Sequence, residues 1–346
     1  MPRPETIAIA AGSGPSRVLV NAPLRNLPRY LPPAKTVILT DSRVLGLYGK
    51  SFPAAAAILL AGTGERQKNL RRVEVLYGRL LDLGLDRSSF ILAIGGGLVC
   101  DMAGFTASTF LRGIPFAFAP TTLLAQVDAA IGGKNGINFQ GYKNMVGLVR
   151  QPRFVLCDLE VLRTLPARQR ASGFAEVIKA AAIADLPLFK NLERCQAELR
   201  RLEIAPLTRV ISSAVRVKAD IVARDELESG ERKKLNFGHT LGHALELTQR
   251  LPHGWAVSIG MALAADISVR RKRLAAPDAG RLKKLLEVYG LPTRCPFDPA
   301  AVLAALRHDK KKTEARLDFV LLRSLGQACL ETVDFQELEE YVHDLC

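Results

Sequence analysis

Short apolar runs alternate with amphipathic stretches through the first half of the chain. Residues 17–20, 36–40, 57–61, 90–94, 116–120 and 154–158 read as strands, and 66–83 among them carries a helical period. A strand covered on both faces is continuously apolar, and its crossover helix is amphipathic, so the alternation predicts βαβ units and a parallel sheet. Beyond about Leu165 the strand signals largely stop. Segments 167–183, 187–202, 205–223, 239–250, 256–273 and 279–289 repeat apolar residues at helical spacing. A late pair, 317–322 and 328–332, reads as strands again. The expected architecture is an α/β, Rossmann-like N-terminal domain over residues 1–165 and a mostly α-helical C-terminal domain over 166–346. The junction falls near Pro166, and a cleft between two such domains is a usual ligand site.

Composition narrows the function classes. With 346 residues, 48% of them apolar and 24% charged, the chain has the balance of a folded protein with a sizeable core. No apolar run reaches the roughly 18 residues of a membrane helix, and no signal peptide is expected from the N-terminal residues. Six cysteines (100, 157, 195, 295, 329 and 346) lie far apart with no CxxC, which predicts reduced thiols and a cytoplasmic location. Lys+Arg 48 minus Asp+Glu 34 leaves +14. Nucleic acid, an anionic membrane or an acidic small substrate could each explain a surplus. The bases are scattered in short groups such as Arg232-Lys233-Lys234 and Lys310-Lys311-Lys312, most of which solvated helix faces explain, and no nucleic-acid-binding signature accompanies them.

Three of the five histidines fall in one short window: His239, His243 and His253. His239 and His243 form an HxxxH, one turn apart on one helix face, and His253 follows in the turn Pro252-His253-Gly254. Imidazoles joined by a carboxylate make a zinc-type site with positions open for substrate. The bland alternative is a pair of surface histidines. Glu176 could supply the carboxylate. It lies three residues before Lys179 in an apolar setting, where a surface ion pair is the alternative and a half-buried pair would need a partner.

Gly95-Gly96-Gly97 follows a predicted strand and opens a helix, with Asp101 further on. Glycines there permit a tight turn and close backbone approach, and the helix N-terminus favours a pyrophosphate. The spacing is GGGxxxDxxG and not GxGxxG, so a plain strand–helix turn remains open. Thr121 and Thr122 could bind a cofactor or cap a helix. Residues 128–138 and 142–145 set lysines and asparagines among glycines, suited either to an anion grip or to an exposed loop.

Together these segments resemble the 3-dehydroquinate synthase family of sugar phosphate cyclases. The resemblance runs from about Asp41 to Leu322 and rests on GGGLVCDMAGFTASTFLRGIPF, PTTLLAQVDAAIGGK, YKNMVG, LRTLP, FAEVIKAA, RKKLNFGHTLGHALE, HGWAVSIGM and HDKKK. It implies an NAD-binding domain followed by a helical domain that binds zinc or cobalt, with the active site in the cleft between them. It also implies a homodimer that acts on a small sugar phosphate, with no nucleic-acid or membrane partner. The implied substrate is 3-deoxy-D-arabino-heptulosonate 7-phosphate, and the products are 3-dehydroquinate and phosphate on the shikimate pathway.

By match, Glu176, His239 and His253 would hold the metal. Lys134, Lys179, Asn236 and His243 would be catalytic, with His243 handling protons or phosphate and not serving as a fourth ligand. Asp128, Asn144, Lys218, Arg232 and Lys311 would bind substrate, together with Arg112, which matches an arginine reaching the phosphate across the dimer interface. Asp41, Glu65, Lys68, Gly96, Gly97, Asp101, Thr121, Thr122, Lys143, Thr164 and Leu165 would bind NAD.

Four positions depart from the family pattern: Arg43, Asn135, Tyr142 and Trp255. Asn135 and Tyr142 are expected near substrate or nicotinamide, which keeps open a sister cyclase acting on sedoheptulose 7-phosphate or glucose 6-phosphate. His243 favours the dehydroquinate reading over the valiolone-forming cyclases. A polyol dehydrogenase of the same broad fold would leave net NADH, and a basic nucleic-acid-binding protein would show steeply salt-dependent binding.

Overall fold

The computed structural model describes residues 4–309 and 316–343. The chain opens with β1 (Glu5–Ala11), β2 (Gly14–Val20) and β3 (Thr36–Thr40), then α1 (Ser42–Tyr48), β4 (Ala57–Leu60), α2 (Leu70–Asp82) and β5 (Phe90–Gly95). Next come α3 (Gly97–Thr109), β6 (Phe116–Pro120), β7 (Lys134–Phe139), β8 (Tyr142–Val149) and β9 (Val155–Cys157). The helices α4 (Ala167–Ala184), α5 (Leu186–Arg194), α6 (Gln196–Arg200), α7 (Ile204–Arg224), α8 (His239–Gln249), α9 (His253–Arg270), α10 (Ala276–Val288) and α11 (Pro299–Asp309) follow. The strands β10 (Arg316–Ser324) and β11 (Gln327–Asp334) precede α12 (Phe335–His343).

Among the described residues, the main sheet has seven strands in the order β1-β2-β9-β6-β5-β3-β4. Only β1–β2 is antiparallel; the remaining pairs are parallel. Every residue of β3, β5 and β6 is buried, as expected of parallel strands covered on both faces. Ile38, Leu92, Ile94, Ala117 and Phe154 belong to the core on this sheet.

The chain divides into two compact units, one of residues 1–165 with 207–227, the other of 166–206 with 228–346. Most of α7 therefore groups with the first unit, where the sequence reading placed it with the C-terminal domain. Polar ties explain the grouping. Lys218 Nζ donates to the Asp128 carbonyl (2.7 Å), Arg216 pairs with Glu5, and Glu226 accepts from Ser13 N (2.9 Å) and Gln151 Nε2 (2.8 Å).

The expected strands are all present within a few residues. β1 was not anticipated. Segments 128–138 and 142–145, open between grip and loop in the sequence, contribute to the hairpin of β7 and β8. The expected helix 187–202 breaks at Cys195, and the one expected from 256 begins at His253.

Candidate active site

In the second unit, α4 presents Glu176 and Lys179 one turn apart, 2% and 3% exposed. Their charged groups pair at 2.5 Å. Helix α8 begins with His239 and α9 with His253, so His253 stands at a helix start and not in a turn. Glu176 Oε1 lies 3.7 Å from His239 Nε2 and 3.3 Å from His253 Nε2. One ligand atom from each of the three residues falls within 4.8 Å of the others.

Missing side chains let the helices come this close. A Cβ on Gly254 would meet Ser172 Cα of α4 at 2.3 Å. A Cβ on Gly260 would meet the Gly238 carbonyl oxygen at 1.9 Å, locking α9 against the start of α8. Gly238 itself has φ of 78°, a conformation that favours glycine.

Both triad imidazoles turn Nδ1 toward an acceptor. His239 Nδ1 lies 3.2 Å from the Phe237 carbonyl oxygen, and His253 Nδ1 lies 3.5 Å from Glu246 Oε2. A proton held on Nδ1 leaves the Nε2 lone pair for a metal. The electrostatics fit that use at Glu176 and His239. Burial raises the pKa of Glu176, yet Lys179 and the two imidazoles hold its carboxyl well below the usual carboxylate range. Burial and the Lys179 cation push His239 down to about 3, so it is neutral. Burial also works to lower His253, but the Glu176 and Glu246 carboxylates raise it to about 10, so in the metal-free protein the ring carries both protons and a cation would displace the one on Nε2.

Neither buried oxygen of Glu176 has a hydrogen bond of good geometry, so its compensation is the surrounding charge. A divalent cation would supply the missing partner, and a two-imidazole, one-carboxylate set suits zinc or cobalt. The exposed His243 ring flanks the set, its centroid 5.3 Å from that of His239 and 6.5 Å from that of His253. Asn236 Nδ2 donates to Glu228 Oε1 at 2.6 Å, and Arg232 is buried on the same 3-10 turn. Lys311 lies outside the described residues.

In the first unit, β5 runs through Gly95 into Gly96, the N-cap of α3. A Cβ on Gly95 would strike Val99 at 2.6 Å, and one on Gly96 or Gly97 would crowd Thr122 or Ala129 at 3.2–3.3 Å. The turn is therefore bare backbone at a helix N-terminus, a ready anion site. Buried Lys68 donates to both Asp101 Oδ2 and Asn144 Oδ1. Burial pushes Asp101 up to about 6 despite that cation. Glu65 Oε1 accepts from Asn138 Nδ2 at 2.8 Å, tying the hairpin to the same loop. Asn144, matched to substrate, thus joins the Lys68–Asp101 cluster matched to NAD.

Other matched residues also have structural duties. Asp41 caps α1 through Val44 N (2.8 Å), and Thr122 accepts from Ala125 N (3.2 Å). Thr121 is buried on the same turn, its N donating to the Gly95 carbonyl (2.9 Å). Thr164 shares its hydroxyl with Tyr48. Leu165 is buried, whereas Lys134 and Lys143 are exposed on the hairpin. Asp128 pairs with Lys218. Arg112 stands exposed on a 3-10 turn with φ of 64°.

Asn135 is held by the protein itself. It is 3% exposed and turned inward, with Nδ2 donating to the carbonyls of Gly133 (2.8 Å) and Arg150 (2.9 Å). Bare Gly104 makes room for its amide. Tyr142, by contrast, is exposed on β8. Trp255 lies under the Arg168 guanidinium, 4.7 Å from its ring centroid. The sequence reading missed Glu246 and the contact glycines. Glu246 sits seven residues after His239, on the same helix face, which is the one signal that could have exposed it.

Comparison with known proteins places this geometry. The profile of the 3-dehydroquinate synthase N-terminal region matches residues 58–172, and that of its C-terminal region matches 173–312. The 3-dehydroquinate synthase of Geobacter metallireducens is 45% identical over 322 residues, covering 89% of this chain and 88% of its own. That of Acaryochloris marina is 41% identical, covering 94% and 91%. Among solved structures, a 2-deoxy-scyllo-inosose synthase complexed with carbaglucose-6-phosphate, NAD+ and Co2+ has a TM-score of 0.87 at 27% identity, covering 99% of this chain and 100% of its own. A 2-epi-5-epi-valiolone synthase from Streptomyces hygroscopicus subsp. jinggangensis, with NAD+ and Zn2+ bound, has a TM-score of 0.87 at 29% identity, covering 95% and 96%. The Glu176/His239/His253 set and the bare glycine turn thus lie in an enzyme chain that belongs to the 3-dehydroquinate synthase family.

Proposed function

We propose that the chain converts 3-deoxy-D-arabino-heptulosonate 7-phosphate to 3-dehydroquinate and phosphate, using NAD and a divalent metal, zinc or cobalt. The observation that carries this reading is the Glu176/His239/His253 set, its glutamate and His239 buried and His253 half-buried, with Lys179 against it and His243 at its side. It is joined by 40–45% identity to relatives named for that activity.

When bound, NAD supplies a hydride acceptor and later donor, and the cation supplies Lewis acidity at the hydroxyl being oxidised. Glu176, His239 and His253 would hold the cation. Asp101, Gly96 and Gly97 would hold the dinucleotide, with Asp41, Glu65, Lys68, Thr121, Thr122, Lys143, Thr164 and Leu165 around it. Lys179 offers a buried ammonium to oxygen charge developing beside Glu176. The new ketone acidifies the adjacent C–H, so phosphate leaves by elimination. Reduction, ring opening and an intramolecular aldol step complete the carbocycle. Proton movement in these steps falls to His243, with Lys134 and Asn236 orienting the oxygens. Arg112, Asp128, Asn144, Lys218, Arg232 and Lys311 would anchor the carboxylate, hydroxyls and phosphate, and this many cationic and amide anchors suits one substrate held through several steps.

The reading includes a cytoplasmic homodimer in which Arg112 serves the partner's phosphate site. No described helix is long and apolar enough to cross a membrane. Light scattering of the purified protein tests the dimer. The second reading, a sister cyclase, draws support from the likeness to the carbaglucose-6-phosphate complex. The lower identity of the cyclase structures, 27–29% against 40–45%, favours the first.

Phosphate release from 3-deoxy-D-arabino-heptulosonate 7-phosphate, with NAD and zinc, before and after chelation, tests the activity. Chelator-sensitive release with 3-dehydroquinate formed and no net NADH is the expected result. No release from folded protein with metal and NAD bound would move the assignment to a sister cyclase, which sedoheptulose 7-phosphate and glucose 6-phosphate would then identify.

A further inference from the structure

His239 and His253 share an arrangement that Glu176 alone does not explain. Each turns Nε2 toward Glu176 Oε1, at 3.7 and 3.3 Å, and each turns Nδ1 toward a second acceptor. For His239 that acceptor is the Phe237 carbonyl, fixed backbone two residues away. His253 is the first residue of α9 and has no such local carbonyl among its hydrogen bonds; its Nδ1 faces the Glu246 carboxylate on α8. His239, His243 and Glu246 follow at i, i+4 and i+7, so one face of α8 carries a ligand, a flanking histidine and this carboxylate. Glu246 is also well covered, its side chain 16% exposed.

From this geometry we propose that Glu246 is a positioning residue that orients His253 for metal binding. Its carboxylate accepts a hydrogen bond from Nδ1–H, keeps that proton on Nδ1 so that Nε2 can serve the cation, and makes Nε2 a stronger donor. Outer partners of this kind change metal affinity by about 10- to 100-fold when removed. The inference rests on the metal-binding reading given above.

The test uses the full-length protein stripped of metal and titrated with Co2+ against a competing chelator, with the visible cobalt spectrum recorded. The variants are Glu246→Gln, which keeps an acceptor without the charge, and Glu246→Ala. The expected result is one Co2+ per chain in all three proteins, affinity lowered about 10-fold in Glu246→Gln and about 100-fold in Glu246→Ala, and a shifted spectrum in both. Circular dichroism of the metal-free variants should match the parent. Parental affinity and spectrum in both variants would overturn the positioning role. Loss of cobalt stoichiometry in Glu246→Gln would overturn it in a different way, by making Glu246 a ligand. Folded parent protein that binds no Co2+ would remove the metal-site reading itself, and with it this inference.

Discussion

His253 reaches to within 3.3 Å of Glu176 because its neighbour Gly254 has no side chain to hold α9 away from α4. A Cβ there would lie 2.3 Å from Ser172 Cα and 2.7 Å from the Ser172 carbonyl oxygen, against backbone that cannot rotate aside. Gly254→Ala should therefore cost about 1–3 kcal/mol of stability by overpacking. It should also lower metal affinity by moving His253 outward. Denaturant unfolding of the metal-free variant, together with chelator competition, checks both effects; parental values in both would show that the helices separate without consequence.

His239→Ala removes a proposed ligand whose ring is neutral and whose Nε2 is aimed at Glu176. The expected outcome is loss of bound zinc and a fall in turnover of at least about 10³-fold, since the Lewis acid is lost. Metal analysis after dialysis decides the matter. Zinc at parental stoichiometry would contradict the assignment.

Asn135 separates substrate recognition from structure. Its amide donates to two backbone carbonyls, and Asn135→Ala leaves the Arg150 carbonyl without that donor. A cost of about 1–3 kcal/mol follows from the unsatisfied group. The ratio of kcat/KM values between competing sugar phosphates should stay at the parental level, because the side chain points into the protein. A changed ratio would restore Asn135 as a specificity residue.

Asp101 carries the clearest pH signature. Its folded pKa of about 6 lies above the ordinary 3.8, so the folded state favours the protonated form. The associated stability is complete below about 3.8 and is lost as pH rises through about 6. In the cofactor-free protein, Asp101→Asn should flatten this part of the stability–pH curve. Asp101→Ala should weaken NAD binding while leaving metal content unchanged. Calorimetric titration with NAD, run beside metal analysis, checks the second point; unchanged NAD affinity would take Asp101 out of the cofactor site.

Arg112 occupies a left-handed conformation at φ of 64°, which costs a non-glycine residue roughly 1–2 kcal/mol. Arg112→Gly relieves that strain, offset in part by glycine's greater freedom in the unfolded chain. Stability should not fall, whereas turnover should drop by about 100-fold if the guanidinium holds phosphate. Thermal melts and steady-state kinetics on the same sample separate the two. Full turnover would leave the strained arginine without a role in the reaction.

The local pattern was a sound guide wherever burial follows from the nearest neighbours in the chain. Continuous apolar runs marked β3, β5 and β6, and helical spacing marked α2, α4, α7 and α8. The histidine window and Glu176 likewise stood out by residue type. The hairpin β7–β8 was less legible, because its lysines, asparagines and glycines are equally typical of a loop. Strand β1 was missed because Ala8 and Ala10 alternate with its buried Ile7 and Ile9 and blur the polar–apolar alternation.

The alternation of strands and helices, the apolar faces they bury, and the side chains able to bind metal, phosphate or dinucleotide all follow from local residue order. Tertiary structure alone decided that α7 packs with the first unit, that Asn135 turns inward, and that Glu246 meets His253. Hydrophobic spacing says which face of an element is buried but not against what. The Glu176/His239/His253 set depends on contacts at Gly238, Gly254 and Gly260, where the absence of a Cβ lets backbone meet backbone. A glycine in a sequence carries no mark of the segment it will touch, so that geometry exists only once the helices have packed.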